Sequence, residues 1–123
     1  MQRYELDAWL GDDHGLTEEQ LSDLLWQADE IELAYPDPDD EDERTAALTV
    51  AYRIISGEEG VVEELARARA QAKAAEIRAL AGLKRAAIIQ VSGIGTESEA
   101  GFARRANVDR MAVRSWLGKR GKH

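Results

Sequence analysis

The chain has 123 residues and a net charge of −8, with 33% charged and 44% hydrophobic residues, the mixture of a folded globular protein rather than a disordered one. It has no cysteine and two histidines, which excludes disulfides, thiol chemistry and cysteine- or histidine-rich metal sites. The charge is split: residues 1–60 hold 18 acidic and 3 basic side chains, a net of −15, and residues 61–123 hold 6 and 13, a net of +7.

A short helix fits around residues 6–10. The first clear helix spans 17–34, where Thr17 and Gln20 form a T-x-x-Q capping box and Leu21, Leu24, Leu25, Ala28 and Ile31 follow helical spacing. Pro36 and Pro38, the only prolines, then break the chain. The segment 39–56 has an acidic start that suits a positive helix N-terminus, followed by an apolar stripe of Leu48, Ala51, Tyr52 and Ile55. Its β-branched residues would also fit a strand; Ala46, Ala47, the acidic start and the lack of a partner strand favour helix. Residues 61–91 read as a long Ala-rich helix. Val61, Leu65, Ala68, Ala72, Ala75, Ala79, Gly82, Ala86 and Ile89 alternate spacings of four and three, a coiled-coil-like seam of mostly small knobs. Such a seam packs either on the first helices of its own chain or on a second copy; Gly82 is a point where the helix would split. No apolar run approaches the roughly 18 residues of a membrane span. The first residues lack the apolar core of a signal peptide, so a cytoplasmic, nucleoid-associated location is expected.

The last segment carries the chemistry. Thr96 and Glu99 form a capping box, which predicts a helix from about residue 97 with Phe102, Ala103 and Ala106 on its buried face. Asn107 tolerates a left-handed conformation and ends it. Val108 lies in the turn, Asp109 is a good cap for a second helix, and Ala112, Val113, Trp116 and Leu117 form that helix's buried face before a stop at Gly118. Seven basic side chains fall in the last 20 residues. Residues 99–118, about one sixth of the chain, resemble the helix-turn-helix family of bacterial and phage DNA-binding regulators. Phe102 and Ala103 stand where that family has an apolar and then a small residue, Val108 at its apolar turn position, and Val113 and Trp116 at its buried positions. Asn107 replaces the family's turn glycine, a mild departure because both accept positive φ. Residues 84–91 would be the support helix of a three-helix unit.

The resemblance implies that the second helix enters the major groove of double-stranded DNA, with Arg110, Met111, Arg114 and Ser115 as base contacts. Thr96, Arg104, Arg105, Lys119, Arg120 and Lys122 are the phosphate contacts it implies. A unit of this kind reads few base pairs, so a homodimer is expected, assembled through Leu65, Ala68, Ala72, Ala75 and Ala79 or the N-terminal helices. The fold expected is all-α: an acidic helical region over 1–60, a connecting Ala-rich helix over 61–81, and the DNA-binding unit over 82–123. The function expected is sequence-specific transcription regulation. The alternatives are a module whose acidic residues 1–60 bind a basic protein partner or mask the basic helices, and an accessory protein of phage or plasmid recombination or maintenance. Residues 37–43 lack the glycine and glutamate of a calcium loop and read as a solvated acidic turn. His14 reads as a surface loop residue, and Trp9, Trp26 and Trp116 as core anchors. No nucleophile–base set, metal set or cofactor site is assembled by the sequence, so no enzyme activity is expected.

Overall fold

The computed structural model describes residues 1–118. Among them the secondary structure is entirely helical: α1 (Arg3–Leu10), α2 (Glu18–Ala34), a 3₁₀ turn (Pro38–Asp40), α3 (Glu41–Ile55), α4 (Val61–Ala87), a π-helical turn (Ile88–Gly93), α5 (Glu99–Ala106) and α6 (Arg110–Trp116). The all-α expectation holds, and the segment over 39–56 is helix rather than strand. The chain divides into two compact units, Met1–Ala66 and Arg67–His123.

In the first unit, α2 starts where the capping box predicts. Thr17 Oγ1 accepts the Gln20 N–H at 3.1 Å and Gln20 Oε1 accepts the Thr17 N–H at 2.8 Å. The amide of Gln20 also donates to the Ile55 carbonyl at 3.1 Å, so the cap of α2 holds the end of α3. Leu6, Leu24, Ala28 and Leu48 form the buried core, with Leu25, Ile31, Ala51, Tyr52 and Ile55 packed around it. One helical face of α2 therefore meets α1 and α3. Tyr52 donates its hydroxyl to the His14 carbonyl at 3.0 Å and takes the edge of Trp9 against its ring. His14 is half-buried in its loop, where Nδ1 accepts the Leu16 N–H. The Pro-containing turn is fixed by Arg44, which donates to the carbonyls of Tyr35 and Asp37 at 2.7 and 2.6 Å. Asp37 caps the 3₁₀ turn through the Asp39 N–H, so the acidic run is used as a helix start.

Two tryptophans depart from the expected core role. Trp26 is 65% exposed because it lies on the opposite side of α2 from Leu21, Leu24, Ala28 and Ile31. Trp9 is 40% exposed and meets the Tyr52 ring in an edge arrangement, centroids 6.4 Å apart.

α4 runs unbroken through Gly82 to Ala87. One exposed glycine costs about 1 kcal/mol, too little to split a helix of this length against its many good helix formers. The separate support helix over 84–91 is therefore the end of α4 followed by the π-helical turn. The seam residues Leu65, Ala68, Ala72, Ala75 and Ala79 are all exposed.

In the second unit, Ala87, Phe102, Ala103 and Val113 form the buried core, flanked by Ala86, Val91, Ala106, Val108, Trp116 and Leu117. Trp116 is thus the one tryptophan whose anchor role matches the expectation.

Candidate nucleic-acid interface

α5 and α6 are two short helices packed on each other and joined by three residues. Asn107 sits in the left-handed region at φ 57° and ψ 47°. That reversal lets the Asn107 N–H reach the Arg104 carbonyl at 3.3 Å and the Val108 N–H the Ala103 carbonyl at 3.0 Å. Two of the orphan carbonyls at the end of α5 are thereby satisfied, and Val108 is delivered to the core that contains Ala103. Asp109 then caps α6, its Oδ1 accepting the Met111 N–H at 2.7 Å. These local features are placed as the sequence predicts.

The start of α5 is not. Ser98 is the cap, its Oγ accepting the Gly101 N–H at 3.0 Å, and the helix begins at Glu99 rather than near residue 97. Thr96 instead donates its hydroxyl to the Gln90 carbonyl, which also receives the Glu97 N–H at 3.2 Å. The π-helical turn displaces the normal i−4 bonding and leaves the Gln90 carbonyl to anchor this loop. Thr96 and Glu99 therefore satisfy the sequence rule without forming the box.

The basic side chains fall into two sets. Arg105 bridges Glu97, with Nε and Nη2 at 3.0 and 2.6 Å from its carboxylate oxygens, and also donates to Gln90. Arg105 lies over the Phe102 ring as well, 5.8 Å from its centroid. This hydrogen bonding holds the Glu97 carboxyl below its ordinary pKa. Arg114 is half-buried and reaches across the turn to Glu99 at 3.3 Å; Glu99 is only 11% exposed. Arg104 and Arg110 form the second set. Both are exposed, and among the described residues neither has a carboxylate within ion-pair distance.

On α6, Arg110, Met111 and Ser115 are exposed, Met111 by 57%, and Arg114 lies four residues from Arg110 on the same face. Lys119, Arg120 and Lys122 lie outside the described residues. Sequence reasoning missed Glu97 and Glu99 as partners of Arg105 and Arg114. The pairs are 8 and 15 residues apart, so neither falls within the one-turn spacing that a single-helix pattern exposes. It also passed over Lys84 and Arg85, exposed in the last turn of α4.

The chain matches no protein-family model, no curated protein and no solved structure. Among the described residues no helix is long and apolar enough to cross a membrane.

Proposed function

We propose that the chain is a sequence-specific regulator of transcription that binds double-stranded DNA as a homodimer, with α6 in the major groove. It works in the cytoplasm, on the nucleoid. The observation that carries this reading is the α5–turn–α6 hairpin, locked by the left-handed Asn107 and capped by Asp109, with Arg110, Met111 and Ser115 exposed on α6. Arg110 is the base reader, because its guanidinium is exposed and has no carboxylate partner among the described residues. Arg104 contacts phosphate. Arg114 acts chiefly as a brace through Glu99, which shifts its role away from base reading.

Selection of bound DNA from a random pool, followed by titration of the selected sequence, tests this. Arg110→Ala should cost about 1–3 kcal/mol, roughly 5- to 150-fold in affinity, and relax preference at one base position. Arg104→Ala should weaken binding evenly across sequences and reduce the salt slope by about 1. No enrichment from the pool at low salt refutes the reading.

A further inference from the structure

We infer that the apolar groove between α2 and α3 is the seat for α4 of a second copy of this chain. The inference rests on the homodimer in the function proposed above, and it names the surfaces that build it.

The groove is open and holds about 860 Å³. Val50, Ala51 and Ile55 line its half-buried part, while Trp26 and Ile54 stand in its walls at 65% and 51% exposure. Two large apolar side chains left this open on adjoining helices mark a contact surface rather than scattered exposure. Asp23 on α2 and Glu43 on α3 supply its charge, and no lysine or arginine lines it. The Glu43 carboxyl is held above its usual range by the hydrogen bond its protonated form donates to Asp40, by desolvation, and by the charges of Asp40 and Asp42. Such like-charge crowding is relieved by a cation arriving from outside.

α4 has the complementary character. Leu65, Ala68, Ala72, Ala75 and Ala79 share one helical face and are exposed in their own chain. Their small side chains let the helix backbone settle deep between flanking walls. Arg67, Arg69, Lys73 and Arg78 border that face on both sides, and Glu76 is the only acid among residues 67–81. Two such faces packed against each other would bring these cations together, which is unfavourable. Packed instead into the acidic groove, the same side chains meet Asp23 and Glu43.

The chain has no cysteine, so a disulfide reports the contact directly. Full-length Ile54→Cys and Ala72→Cys proteins are mixed under mild oxidation, with circular dichroism confirming that each is folded. Both positions are exposed in the single chain, and Ala47→Cys supplies a second groove position. The expected result is a disulfide-linked dimer that forms in the mixture and not in either protein alone. Adding Asp23→Lys and Glu43→Lys to the groove copy should slow its formation about tenfold. A disulfide dimer of Ala72→Cys alone, with none to the groove, overturns the inference while preserving the homodimer. A chain that stays monomeric at micromolar concentration with no disulfide overturns both. Either outcome leaves the DNA contact of Arg110 to be judged by its own titration.

Discussion

Replacing Phe102 with alanine is the sharpest test of what holds α5 and α6 together. The core of the second unit has four buried residues, and two of them are alanines. Phe102 and Val113 therefore supply most of its buried volume, and Phe102 is only 3% exposed. A Phe→Ala change at such a site costs about 3–5 kcal/mol, the lost transfer energy plus the cavity. At about 0.05–0.15 kcal/mol per residue, a unit of roughly 60 residues holds only about 3–9 kcal/mol in total. The substitution should bring the hairpin close to its unfolding midpoint in water. Trp116, packed against this core, is the natural reporter once Trp9 and Trp26 are replaced by phenylalanine. With a urea m-value near 1 kcal/mol/M, the Trp116 midpoint should fall by about 3 M or lose its folded baseline. A shift below about 1 M would refute the assignment of Phe102 as the main apolar support, and with it the placement of α6 by that core.

Two further outcomes follow from the same hairpin. Asn107→Gly should be neutral or slightly stabilising and keep DNA binding, whereas Asn107→Val should destabilise by at least ~1 kcal/mol, because a β-branched residue resists the left-handed conformation; urea titration of Trp116 reads both. Glu97 has a folded-state pKa below its unfolded value, so its contribution is present above the ordinary glutamate range near ~4.3 and is lost as pH falls through the lower folded value. The hairpin's melting temperature should therefore fall in that acidic window, and Glu97→Gln should remove that part of the pH dependence.

What the sequence made legible was local. The Thr17–Gln20 box, the left-handed Asn107 and the Asp109 cap each depend on groups within a few residues, and all three are found where the pattern predicts. The misses have non-local causes. Thr96 was drawn from capping into a loop contact by the Gln90 carbonyl, which only the π-helical turn makes available. Glu99 meets Arg114 only after α6 folds back on α5, so no single-helix spacing reveals the pair. Trp26 was misjudged for a different reason: its bulk suggested burial, although its position in the helical period already placed it off the apolar face.

The ion pairs also alter the electrostatic argument for DNA binding. Of the four arginines in the described hairpin, Arg105 and Arg114 are engaged by Glu97 and Glu99, which leaves Arg104 and Arg110 to face an anionic ligand. Each neutralised phosphate contributes about −0.9 to the slope of log affinity against log salt. Arg104 and Arg110 of one copy would together contribute about −1.8 to that slope, and two copies on adjoining half-sites should double their share. Under the proposed function, assembly would matter for affinity as well as for reading symmetric sites. The net of −15 over residues 1–60 opposes approach to DNA unless part of it is neutralised. In the proposed dimer, seating Arg67, Arg69, Lys73 and Arg78 beside Asp23 and Glu43 of another copy would do so locally, in the same contact that forms the dimer. If so, dimerisation and DNA binding would be linked, and linkage is reciprocal: DNA should tighten the dimer by the same factor that the dimer tightens DNA. A disulfide yield between Ile54→Cys and Ala72→Cys that is unchanged by saturating DNA would show that the two equilibria are independent.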